Sequence, residues 1–177
     1  MAQGISNQGR DAEALFVRLV RGSRKIARAA AGDAEVDVDG ITTSIEIKKC
    51  DAPGQSGTIN QVRAIKFIPL VVYNPTQNCW YVVPATELAR FAASKARGQH
   101  TEISFESMNL SLKSILKWVC SAEHLDDAVR RAIRFDREHR GIQQALDALL
   151  RELKTLGAQR RQDIARLLEA VPIWRLE

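Results

Sequence analysis

The chain has 177 residues, 45% hydrophobic and 27% charged, with 26 Lys and Arg against 21 Asp and Glu. That balance excludes a disordered or low-complexity protein, and the apolar runs are far short of the roughly 18–20 residues a membrane-spanning helix needs. Three cysteines without CxxC spacing exclude a disulfide framework and a structural zinc site and suit a reducing, cytoplasmic setting; with no charged-then-apolar leader, secretion is not expected.

In chain order, Ala12, Leu15, Phe16, Leu19 and Val20 recur at helical spacing, which predicts an amphipathic helix over 8–21 ended by Gly22. The alanines at 27 and 29–31 could prolong it. Residues 34–49 switch to period two around Asp39-Gly40, a hairpin turn signal. A polar loop over 51–57 leads to a short predicted helix over 59–65. Strands follow over 70–73 and 80–83, joined by the turn residues 74–78, and a helix capped by Thr86 runs to about 96. From Ser111 the stripes of Leu, Ile and Val predict helices only, the last over about 159–170 before Pro172. The expected fold is an α/β core over 1–100 with a helical extension over 101–177 packed on it.

Charge is uneven along the chain. The net charge of +5 is compatible with a polyanionic partner, and residues 51–100 carry 5 basic against 2 acidic side chains. The acids of the first 50 residues cluster between Asp33 and Glu46. If Asp39-Gly40 is a two-residue turn, Val38 pairs with Ile41, Asp37 with Thr42 and Val36 with Thr43. Continued outward, that ladder sets Asp33 opposite Glu46, with Cβ atoms about 4.5–5.5 Å apart. Two facing carboxylates repel unless a cation lies between them, and a hard divalent ion such as Mg²⁺ prefers such oxygens. Lys48 projects from the same strand face as Glu46, where its ammonium can position a water and neutralise a phosphate. Asp37 rivals Asp33 as the first acid if the register shifts.

The run Gly32-Asp33-Ala34-Glu35-Val36-Asp37 followed by Ile45-Glu46-Ile47-Lys48-Lys49 resembles the signature of the PD-(D/E)XK, or restriction-endonuclease-like, nuclease superfamily. The resemblance covers about residues 8–84; Gly32 stands where the family name has proline. Its resolvase-like branches carry a Gly…Glu-Ala motif in the first helix, matched by Gly9-Arg10-Asp11-Ala12-Glu13-Ala14, which makes Glu13 a third acid on the metal side. Many members place a glutamine after the ExK strand, a role matched by Gln61. The resemblance implies a mixed β-sheet flanked by helices and a Mg²⁺-dependent endonuclease, with Mn²⁺ able to substitute. Asp33, Glu46 and Glu13 would hold the metal, Lys48 would orient the attacking water and Gln61 would position the site. The substrate class is double-stranded or branched DNA, cut in a restriction-type reaction or by a junction resolvase or repair nuclease. Cutting both strands implies a homodimer, with the C-terminal third as its interface.

Competing readings of the same residues are few. A non-catalytic nucleic-acid-binding protein of this fold would keep the basic charge without needing the acid–acid–lysine set. Glu35 to Glu46 approaches a calcium-loop pattern, but a calcium-binding hand requires a helix after Glu46, and the residues there are poor helix formers. His100, His124 and His139 lack paired metal-ligand spacing. Arg130, Arg131, Arg134 and Arg137 read as a solvated helix face, with phosphate contact as the alternative. Cys50 reads as a buried thiol, and one of Trp80 and Tyr81 as a core residue.

Overall fold

The computed structural model describes residues 5–26, 32–53, 56–95, 108–153, 163, 166 and 167. Helix α1 (Ile5–Leu19) leads into an antiparallel meander of β1 (Ser23–Lys25), β2 (Ala34–Val38) and β3 (Ile41–Lys49). After β4 (Thr58–Val62) and a 3₁₀ turn (Ala64–Lys66), β5 (Leu70–Asn74) runs parallel to β3 and β6 (Cys79–Val83) returns antiparallel. Then come α2 (Ala85–Lys95), β7 (Met108–Ser111), a 3₁₀ helix (Leu112–Trp118), β8 (Val119–Cys120), α3 (Leu125–Glu138) and α4 (Arg140–Leu153). Six strands form one mixed sheet in the order β1-β2-β3-β5-β6-β8, and β4 pairs with β7 in a separate ribbon. No helix among the described residues is long and apolar enough to cross a membrane.

The hairpin forms in the expected register, with Val38 facing Ile41, Asp37 facing Thr42, Val36 facing Thr43 and Ala34 facing Ile45. Asp39 and Gly40 take positive φ of 52° and 77°, the backbone of a tight turn whose twist matches the strands it joins. Two expectations fail for one shared reason. Residues 59–65 are a strand and a 3₁₀ turn rather than a helix, because β4 pairs with β7 about fifty residues later. The stretch after Ser111 is likewise not purely helical: Leu112 and Ile115 sit one 3₁₀ turn apart, and β8 then joins the sheet beside β6. The C-terminal third therefore adds two strands to the fold. The alanines at 27 and 29–31 lie outside the described residues, and so, almost entirely, does the last predicted helix.

Alternation along the central strands sorts the side chains into two cores. Val36, Val38, Ile45, Ile47, Val71, Trp80 and Val82 pack against Phe16 of α1 and Leu125, Val129 and Ile133 of α3. Leu70, Val72, Tyr81 and Val83 face the other way, against Leu88 and Ala92 of α2, Ile59 and Val62 of β4, and Leu146 of α4. Trp80 and Tyr81 are thus both buried, one in each core, because helices cover both faces of the sheet. Cys50 is buried as expected.

The α3 arginines fasten the hairpin tip. Arg137 donates to the carbonyls of Val38 and Ile41, and Arg130 to those of Asp37 and Arg21. Arg134 grips the Asp39 carboxylate through Nε and Nη2, each at 2.9 Å. These three arginines are engaged by the hairpin, and Arg134 stays half-exposed while it holds Asp39. The hydrogen bond from Arg134 holds the Asp39 carboxyl below its ordinary value of 3.8. The bond from Thr42, followed by that from Arg24, does the same for Asp37. Carboxyls with lowered pKa stabilise the fold above the ordinary value, and that contribution disappears as pH falls through the lowered one. Resistance to urea unfolding should therefore fall between pH 5 and 2, and Asp39→Asn should flatten that acid-side dependence while leaving the neutral-side profile unchanged.

Candidate active site

Ile45 and Ile47 point into the core beneath α1 and α3, so Glu46 between them points to the opposite face, together with Lys48. Its carboxylate is 1% exposed. Lys48 Nζ lies 3.1 Å from Oε1, and Arg63 Nε lies 3.3 Å from the same oxygen. The other oxygen, Oε2, is buried and has no hydrogen-bond partner among the described residues. An unsatisfied buried acceptor costs about 1–3 kcal/mol and is rare in native interiors, so an orphan on a charged group is a structural anomaly with chemical potential.

Asp33 sits at the bend before β2 and brackets Glu46 through the backbone. Its N–H donates to the Ile45 carbonyl at 2.9 Å, and its Oδ2 accepts the Ile47 N–H at 2.7 Å. Oδ1 has no partner among the described residues. Gly32 explains why no proline precedes this acid. Its φ is +136°, far from the −65° a proline ring fixes, and a Cβ there would come within 3.0 Å of the Ile45 carbonyl.

The structure places Glu46 and Lys48 in contact on β3, with Asp33 at the bend before β2 bonded to the Ile47 amide next to Glu46. Glu13 on α1 forms an ion pair with Lys25 of β1 at 2.6 Å. Asp37 is exposed, bonded to Thr42 and Arg24 and paired across from Thr42, near the turn end of the hairpin, whereas Asp33 precedes the last ladder pair, Ala34 with Ile45. Gln61 is exposed and takes a φ of +56° where the β4–β7 register shifts between Ile59 and Val62. Glu46 lies within a nine-residue strand, which removes the calcium-loop reading. His124 and His139 bond locally, to Ser121 and the Phe135 carbonyl.

No family model matches the chain, and neither does any curated protein or solved structure. What it does must follow from these side chains. Asp33 and Glu46 each keep one carboxylate oxygen without a partner among the described residues, hard donors of the kind Mg²⁺ takes. Among the described residues no three His, Cys, Asp or Glu side chains converge into a fuller ligand set. A cleft of about 450 Å³ between the start of β3, Phe67–Pro69 and the α3–α4 junction, with Asp136 and Arg137 in its wall, is lined by none of Asp33, Glu46, Lys48 and Arg63.

Arg63 is the site residue that sequence reasoning did not single out. A signal for it existed: the first acids before and after it in sequence are Asp51 and Glu87, so an arginine in this acid-poor stretch has to find its counter-charge across the fold.

Proposed function

We propose that the chain is a Mg²⁺-dependent endonuclease of the restriction-endonuclease-like fold, hydrolysing phosphodiester bonds in double-stranded DNA. The observation that carries this reading is the Glu46 carboxylate, buried, clamped by two cations on Oε1 and without a partner on Oε2 among the described residues. The surrounding topology supports it: a helix, then an antiparallel meander whose third strand bears Glu46 and Lys48, then a strand parallel to that one. Asp33 and Glu46 would hold the ion, and Glu13 would join them on release from Lys25. Once bound, Mg²⁺ supplies Lewis-acid polarisation of a phosphoryl oxygen and makes water a better nucleophile. The chain's own part is positional. The Ile47 amide fixes Asp33, burial excludes bulk water from Glu46, and Lys48, 24% exposed, reaches solvent where it can orient the attacking water. The water oxygen bonds to phosphorus as one P–O ester bond breaks. Cutting both strands calls for two such sites, hence a homodimer.

Supercoiled plasmid, linear duplex and a four-way junction, each incubated with Mg²⁺ or EDTA, test the proposal. Cleavage of duplex that stops in EDTA is the expected result. Preferential cutting of the junction would make the enzyme a resolvase of the same chemistry. DNA binding that survives EDTA without any cleavage would leave a non-catalytic binding protein instead.

A further inference from the structure

We infer that Arg63 is a phosphate-binding residue of this site, its guanidinium held side-on by Glu46 so that its fork faces the DNA backbone. The inference rests on the nuclease reading above and deepens it by naming how the backbone is held.

A comparison within the molecule carries the argument. Glu87, 0% exposed on α2, shows how this protein neutralises a buried carboxylate: Arg90 donates Nε to Oε1 and Nη2 to Oε2, each at 3.3 Å, and Lys117 adds a bond to Oε2 at 3.1 Å. Both oxygens are satisfied and the arginine fork is used. At Glu46 the same kinds of residue meet differently. Lys48 and Arg63 converge on one oxygen, Arg63 through Nε alone, and Oε2 is left orphaned. Neither Nη1 nor Nη2 of Arg63 has an acceptor among the described residues. A purely structural ion pair would be expected to close the fork on the carboxylate, as Arg90 does. An arginine anchored by Nε presents two parallel N–H donors in the geometry that phosphate oxygens accept. Its side chain is 27% exposed, so the fork reaches solvent while the anchor stays inside. The backbone leading to it is shaped for this placement. The ladder register shifts between Ile59 and Val62, with Gln61 at φ +56°, just before Arg63, and irregularities of this kind in a strand re-aim the side chains that follow.

The test is the salt dependence of binding to a 30-base-pair duplex in Ca²⁺, with single-turnover cleavage in Mg²⁺ at saturating DNA as a second readout. Removing one phosphate contact lowers the magnitude of the slope of log K against log salt by about 0.9. Arg63→Gln, which keeps an N–H for Glu46 but not the charge, should show that drop and a cleavage rate about 10²-fold lower. Arg63→Lys should restore the slope but not the rate, because a point charge replaces the fork. An unchanged slope and rate in Arg63→Gln, with wild type binding and cutting normally, would overturn the assignment of Arg63 alone. Wild type that neither binds nor cuts duplex would overturn the nuclease reading together with it. Should Arg63→Gln fail to fold, Arg63→Lys decides: full cleavage by that variant overturns the assignment.

Discussion

Glu46→Gln is expected to lower the rate of duplex cleavage by at least about 10³-fold while moving the thermal midpoint only slightly. The size of the kinetic effect follows from losing a charged ligand, since a metal's stabilisation of developing charge amounts to several kcal/mol and each 1.36 kcal/mol is tenfold in rate. The small effect on stability has a separate cause. Removing one member of a fully buried ion pair leaves an uncompensated charge and costs about 3–5 kcal/mol. Here the partners are not fully buried: Lys48 and Arg63 are 24% and 27% exposed and can turn to water. The amide also relieves the protein of a buried, half-satisfied negative charge. Single-turnover cleavage and urea unfolding on the same preparation check both halves. A variant that cuts normally would sink the assignment of Glu46, whereas inactivity accompanied by a loss of several kcal/mol would mark the residue as structural.

The largest effect on stability should come from a residue remote from the chemistry. Asp136 of α3 is 8% exposed, and its two oxygens accept the N–H groups of Ala85 at 2.7 Å and Thr86 at 2.9 Å. These are the opening amides of α2, which have no partner inside their own helix. The cap comes from another helix some fifty residues away, and α4 adds to it through Gln143, which donates to the Thr86 hydroxyl at 2.9 Å. Burial raises the Asp136 carboxyl above its ordinary value, and the bonds from Thr86 and Ala85 oppose that rise. Asp136→Ala strands two buried donors at about 1–3 kcal/mol each, so a loss of about 2–4 kcal/mol is expected in urea unfolding. Asparagine keeps one acceptor but turns an NH₂ against the second amide, and it should recover only part of the loss. An Asp136→Ala variant within 0.5 kcal/mol of wild type would refute this account.

What the sequence made legible was local. Asp39-Gly40 announces its turn within two residues, and alternation then fixes which side chains face each other, so the pairing from Val38–Ile41 out to Ala34–Ile45 and the shared face of Glu46 and Lys48 could be placed before any coordinates. Non-local pairing was not legible. β4 read as helix because its partner β7 is distant, and Arg63 was passed over because its counter-charge is 17 residues away on another strand. The arginines of α3 read as solvated because Asp126, Asp127 and Glu138 are interleaved with them, while their actual acceptors are carbonyls on a hairpin about 95 residues earlier. Glu13 was placed with the acids by its motif, and nothing in its neighbourhood announced that Lys25 would reach it across the turn after α1.

The tethering of the hairpin tip by α3 bears on the order of events during synthesis. A nascent chain that has emerged only to residue 100 has made both acids, both cations and the strands that carry them. It has no Arg130, Arg134 or Arg137 to hold the turn, no Asp136 to start α2 and no β8 to close the sheet edge. On the nuclease reading proposed above, cutting power would be acquired only after the last third leaves the ribosome. A cell making this protein would be spared a half-built blade near its own genome.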